Sequence, residues 1–228
     1  MHPGACHKVA GAPLARGGVR PSMARISAIV ASVLVIVGLS VATLVVISRA
    51  NADPFADCRR GSVAGGAAAI GGPFTLEDGA GRSVTDAEAI TGPTLVYFGY
   101  TFCPDVCPTD MSRNALAAAD VAAKGGHVGN VFVSIDPARD TPVAVHDFVQ
   151  SIAPAIVGLT GTPEQVAAAA KAYKVYYRKS GDDPDYYMMD HSTFTYLMAP
   201  KVGFLEFFTS DARPEDVAAS VSCFAARL

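Results

Sequence analysis

The order of elements along this chain predicts an α/β three-layer sandwich, preceded by a single N-terminal transmembrane helix. Three observations predict it. A charge-free apolar run extends from Ile26 to Ser48. Strand-like and helix-like segments alternate from Pro73 onward. Two cysteines, Cys103 and Cys107, stand four positions apart where a buried-looking strand hands over to a helix.

The run at residues 26–48 is long enough to cross a bilayer as a helix. Lys8, Arg16, Arg20 and Arg25 precede it with no acidic residue. The positive-inside rule therefore puts residues 1–25 in the cytoplasm as a leader and exports the chain beyond Arg49. Met23 is an alternative start, which would remove most of that leader along with Cys6. Ala50-Asn51-Ala52 has the small-x-small pattern of a signal cleavage site. The length of the apolar run instead favours a retained anchor. With four of the 18 Lys and Arg ahead of the span, 14 remain against 21 Asp and Glu, a net of about −7. An acidic exported part argues against nucleic acid as a partner.

Residues 49–72 are rich in Gly and Ala and read as a linker. The ordered domain is expected over 73–228. Phe74 to Leu76 and Ser83 to Thr85 flank Asp78-Gly-Ala-Gly81 and read as a short hairpin. Thr94 to Tyr100 (TLVYFGY) suits a central buried strand. A helix follows from about Asp110 to Lys124, ended by Gly125-Gly126. Asn130 to Ile135 is a second strand. Thr141-Pro142 opens another helix, with proline at its first position. Thr162-Pro-Glu-Gln165 is a capping box, and its helix runs to about Tyr173. Lys174 to Lys179 reads as a strand and Asp182 to His191 as a polar loop. Thr193 to Met198 and Phe204 to Phe208 form an antiparallel hairpin. Pro214 to Ala226 closes the chain as a helix with acids in its first turn. This order fits a thioredoxin-like sandwich.

Four cysteines are exported: Cys58, Cys103, Cys107 and Cys223. An oxidising compartment permits disulfides. Spacing groups Cys103 with Cys107 and leaves Cys58 and Cys223, either joined or as two independent thiols. A helix N-terminus favours thiolate. Separation by four lets both sulfurs point to one side. The pair is compatible with a disulfide, a reactive dithiol or part of a metal site. Soft thiolates plus an imidazole suit copper. Of the exported histidines, His127 sits at a helix end and His146 mid-helix among polar neighbours. His191 lies at a loop-to-strand junction, which in this fold faces the start of the active-site helix. Met188, Met189 and Met198 are soft but usually core filler. Asp105 reads as favouring the helix start. A Cys₂His zinc site lacks any supporting base or substrate pocket here.

Three blocks together resemble one known family. Phe98-Gly-Tyr-Thr-Phe-Cys-Pro-Asp-Val-Cys-Pro108, Ser134-Ile-Asp-Pro-Ala-Arg-Asp-Thr141 and Asp185-Tyr-Tyr-Met-Met-Asp-His-Ser192 resemble the signature blocks of the SCO/SenC copper proteins. Gly158-Leu-Thr-Gly161 and the hairpin from Leu197 to Phe208 are also similar. The resemblance runs from about Pro73 to the C-terminus. It implies a thioredoxin-like domain outside the membrane that binds one copper ion, as Cu(I) or Cu(II), through Cys103, Cys107 and His191. It implies delivery of that copper to the CuA site of cytochrome c oxidase subunit II. It also implies other periplasmic copper chaperones and a thioredoxin-like reductant as partners. The place implied is a bacterial inner membrane, crossed once, with the C-terminal domain in the periplasm. Met188-Met189 departs from the smaller β-branched residues expected there. Cys58 and Cys223 lie outside the blocks.

The competing reading is an enzyme. Cys103 and Cys107 would then be the redox pair of a thiol–disulfide reductase keeping CuA-site cysteines reduced. A third reading is a peroxide- or redox-sensing thiol protein.

Overall fold

The computed structural model describes residues 22–50, 53–61, 63, 66–183 and 186–228. The leader at 1–21, the cleavage pattern at Asn51-Ala52 and Asp185 lie outside them. The chain divides into two units, residues 1–52 and residues 53–228. In the first unit, α1 (Met23–Ala50) is a single apolar helix. Its segment Ile26–Ile47 is long and apolar enough to cross a membrane.

The second unit has a thioredoxin-like fold. A hairpin of β1 (Thr75–Glu77) and β2 (Ser83–Thr85) opens it. One helical turn, α2 (Asp86–Ala89), follows, held by a capping box between Thr85 and Glu88. Then come β3 (Thr94–Gly99), α3 (Val106–Ala123), β4 (Gly129–Ser134), α4 (Pro142–Ile152), β5 (Val157–Leu159) and α5 (Pro163–Ala172). A small ladder of β6 (Tyr177–Ser180) and β7 (Met188–His191) precedes β8 (Thr195–Ala199), β9 (Gly203–Phe208) and α6 (Pro214–Ala225).

Five strands form the main sheet in the order β5-β4-β3-β8-β9. β3, β4 and β5 run parallel, whereas β8 and β9 are antiparallel to their neighbours. All six residues of β3 are buried, as a central strand covered on both faces requires. Leu95 and Leu197 pack with Ala117 and Val121 of α3 and Val217, Val221 and Phe224 of α6. Val96, Phe98 and Tyr196 pack instead with Val145 and Val149 of α4 and Val166, Ala169 and Ala170 of α5. Alternate residues of one strand thus feed two helical layers.

The predicted helices at 141 and 162 begin as the caps dictate. Thr141 and Thr162 each accept a backbone N–H three residues on, with Pro142 and Pro163 at the first helical positions. Each such cap contributes about 1 kcal/mol. Four local differences from the sequence reading stand out. The helix expected from Asp110 begins at Val106. The strand read over 174–179 starts at Tyr177, because Lys174 has φ 57° and breaks the extension. The stretch read as a polar loop ends in β7, which pairs Met188–His191 with Tyr177–Ser180. The short edge strand β5 was not evident in the sequence.

Cys58 and Cys223 are disulfide-bonded, with their Cα atoms 5.7 Å apart. The bond fastens the stretch at 53–61 to α6. Phe55 and Cys58, within the region whose composition reads as linker, are buried beside Phe224. Arg60 and Gly61 donate their backbone N–H groups to the buried Glu206 carboxylate of β9, at 2.6 and 3.2 Å.

Candidate metal centre

β3 ends at Gly99, and the chain turns through Tyr100-Thr-Phe102 into Cys103. Gly99 is required by crowding. A Cβ there would lie 2.9 Å from Cys107 Sγ and 2.9 Å from ring carbons of both Phe132 and Tyr97. Asp105 occupies the N-cap of α3 but makes no side-chain cap bond. The sulfur of Cys103 takes that role, accepting the Cys107 backbone N–H at 3.3 Å. This explains the early start of α3. The first turn is closed by a sulfur, and Pro108 near the helix start sacrifices no intrahelical hydrogen bond.

Cys107 is fully buried and Cys103 nearly so, and neither is disulfide-bonded. Their environments divide the proton between them. The Cys103 thiol is lowered to about 4, first by its hydrogen bond with Cys107 and further by the backbone N–H groups at the helix start. The Cys107 thiol is raised, first by donating to Cys103 and then by burial. One thiolate and one thiol therefore stand side by side.

His191, the last residue of β7, brings its ring to this pair. Its Nε2 lies 3.6 Å from Cys107 Sγ. Its Nδ1 lies 2.9 Å from the Ser192 carbonyl oxygen, which can only accept. Nδ1 therefore carries the proton, and Nε2 presents its lone pair to the sulfurs. The rings of Tyr97 and Tyr100 meet the imidazole edge-on, with centroids 6.4 and 5.8 Å away. The two sulfurs and one ring nitrogen lie within 4.8 Å of one another. Two soft thiol donors and one imidazole in reach of a single point fit copper by donor type.

The three residues named from sequence come together, and among the described residues His127 and His146 do not join them. His146 lies against Gly79 of the β1–β2 turn. Met188 is half-exposed and receives the Tyr100 hydroxyl at 3.8 Å from its sulfur. Sequence reasoning missed the supports. Asp140 is buried and accepts from the Thr101 N–H at 3.0 Å, the Thr101 hydroxyl at 2.6 Å and the Ser134 hydroxyl at 2.6 Å. It thereby pins the turn that carries Cys103. Asp136 accepts from the Tyr187 hydroxyl at 2.7 Å and from Arg139 Nε at 2.6 Å. Burial raises Asp140, and burial followed by the bond to Asp136 raises the Tyr187 hydroxyl to about 12. The signal for these residues was the block Ser134–Thr141, whose packing partners are remote in sequence.

A thioredoxin-like domain with an unpaired dithiol at a helix N-terminus, faced by an imidazole lone pair, defines a class of thiol-centred metal or redox proteins. Comparison with known proteins narrows the class. A family model described as SCO1/SenC matches residues 62–226. Protein SenC of Rhodobacter capsulatus is 53% identical over 197 residues, covering 85% of this chain and 86% of that protein. The crystal structure of Arabidopsis thaliana ScoI with copper bound is similar, with TM-score 0.65 and 37% identity over 68% of this chain and 98% of that one. The structure of Bradyrhizobium japonicum ScoI with copper bound gives TM-score 0.62 and 38% identity, covering 68% and 98%. The chain belongs to the SCO1/SenC family.

Proposed function

We propose that this protein is a membrane-anchored copper carrier that holds one copper ion through Cys103, Cys107 and His191. It passes the ion to the CuA site of cytochrome c oxidase subunit II, from a domain on the periplasmic side of a bacterial inner membrane. The observation that carries the reading is the convergence of two sulfurs and one Nε2 lone pair within 4.8 Å. Cys103 already offers a thiolate, and Cys107 gives up its proton when the ion binds. The fixed Nδ1–H tautomer keeps the third donor ready. Few ligands and a loop-borne sulfur suit transfer by ligand exchange, in which the recipient's own cysteines replace these without net electron transfer. Copper-bound ScoI structures at 37% and 38% identity support the choice of metal. The apolar segment Ile26–Ile47 and the basic residues ahead of it support the anchoring role.

One observation favours a second reading, a thiol–disulfide oxidoreductase that keeps the CuA-site cysteines reduced. The Cys103 thiolate beside the Cys107 thiol is an attacking and resolving pair. Cys103 would attack a substrate disulfide, and Cys107 would then displace the second thiol of the substrate. The product would be a Cys103–Cys107 disulfide, and a thioredoxin-like dithiol would return it to the reduced state. Replacing His191 by Ala separates the readings. A carrier loses copper affinity or the nitrogen signature of bound Cu(II), whereas a reductase keeps its rate.

A further inference from the structure

The turn after β4 touches both halves of the site. Asp136-Pro-Ala-Arg139 closes on itself, with the Arg139 and Asp140 N–H groups donating to the Asp136 carbonyl at 3.1 and 2.9 Å. Asp140 holds Thr101, two residues before Cys103. Arg139 reaches the other half. Its guanidinium carbon stands 3.5 Å from the ring centroid of Tyr187, four residues before His191. It stands 4.6 Å from the ring of Phe102, the neighbour of Cys103, and 6.0 Å from that of Tyr100. Arg139 Nη1 also donates to the Tyr187 carbonyl at 3.0 Å, while Nε is held by Asp136 at 2.6 Å. One flat cation thus lies among an aromatic ring of the cysteine loop and both the ring and the backbone of the histidine-bearing segment.

Resting on the copper-carrier reading above, we propose that Arg139 is a positioning residue that clamps the Tyr187–His191 segment against the cysteine loop and so sets the third donor. β7 pairs only with the short β6, in a two-stranded ladder outside the main sheet. Such a ribbon is marginal by itself. Asp190 points outward, Met188 makes only the long contact with the Tyr100 hydroxyl, and Met189 is only partly buried against the core. Arg139 supplies the stronger tie, through stacking, one backbone hydrogen bond and the Asp136 bridge to the Tyr187 hydroxyl. A lysine in its place would keep the charge but lose the planar stack and the fork of donors. Thiolates alone can hold Cu(I), so loosening the clamp should weaken Cu(II) binding, which draws on the imidazole, more than Cu(I) binding.

The test uses the full chain in detergent, as wild type, Arg139→Lys, Arg139→Met and Tyr187→Phe. Amide hydrogen exchange of the metal-free, reduced protein is followed over residues 186–191. Arg139→Met is expected to speed exchange there about tenfold or more, with the strands of the main sheet unchanged. Arg139→Lys should fall between it and wild type. Tyr187→Phe, which removes only the hydroxyl bond, should act least. Loading with Cu(II) should then show weakened nitrogen coupling in electron paramagnetic resonance for Arg139→Met, with Cu(I) affinity changed less than about threefold. Wild-type exchange in both Arg139 variants would overturn the proposal, as would an equal loss of Cu(I) and Cu(II) affinity. Should the Met variant fail to fold, the Lys and Phe variants decide by the same readout. Failure of wild type to bind copper would refute the carrier reading instead, leaving the exchange data to judge the clamp.

Discussion

The cysteines at 58 and 223 and those at 103 and 107 make an instructive contrast within one domain. The first two are 165 residues apart and are bonded, yet the second two are four apart and are not. Burial does not separate Cys58 from Cys103, which are 4% and 8% exposed. What differs is what each sulfur faces. Cys103 accepts a backbone N–H at a helix start and sits within reach of an imidazole. Cys58 and Cys223 face each other across the seam between the 53–61 stretch and α6, with Arg227 beside both sulfurs at 2.7 and 2.9 Å. One pair closes a seam of the fold. The other is kept open by groups that stabilise a thiolate and offer a third donor.

The largest expected effect breaks the comparison at its functional side. Cys103→Ala or Cys107→Ala should each cost Cu(I) affinity by three or more orders of magnitude, on the order of 4 kcal/mol. Cys58→Ala with Cys223→Ala should leave it within about threefold, by competition titration against a chromophoric Cu(I) chelator. Equal losses in both pairs would end the distinction. The second effect lies on the structural side. Removing the Cys58–Cys223 bond should lower unfolding stability by about 2–4 kcal/mol, because a loop of this length is released in the unfolded chain. Chemical denaturation of the oxidised and doubly substituted proteins reads it.

Third in size is Gly99→Ala. Its methyl would meet a sulfur and two rings at 2.9 Å, so the protein should lose about 1–3 kcal/mol and the spacing of Cys107 from His191 should change. A crystal structure with Cys107 unmoved would contradict this. The smallest effect concerns protonation. The Cys103 thiol is depressed to about 4, so its thiolate is present above that pH and lost below it. The Cys107 thiol is raised and stays protonated through neutrality. Iodoacetamide at pH 6 should therefore label the metal-free, reduced protein at Cys103 and not at Cys107, as read by peptide mass. Equal labelling would refute the division of roles.

The fold was legible where local pattern and burial agree. β3, β4, β8 and β9 carry runs of β-branched and aromatic residues, and α4 and α5 announce themselves by threonine caps followed by proline. β5 was not legible, because three residues with a glycine in the middle hold no period. β7 was not, because Met188-Met-Asp-His191 reads as a loop until β6 is laid beside it. The start of α3 was hidden because a cysteine sulfur, not a customary oxygen, caps it. At the candidate site, the grouping of Cys103, Cys107 and His191, which the fold brings within 4.8 Å of one another, was legible from residue type and block order. Arg139, Asp140 and Tyr187 were not, because their work depends on partners dozens of residues away that only the folded chain brings near. The bond between Cys58 and Cys223 was open for the same reason.

X-ray absorption at the copper edge of the full-length protein, loaded with one equivalent of copper, tests the central claim most directly. Two sulfur neighbours and one nitrogen are expected, with the nitrogen lost in His191→Ala and a sulfur lost in either cysteine variant. A copper environment of oxygen and nitrogen alone, or one unchanged by all three substitutions, would contradict it.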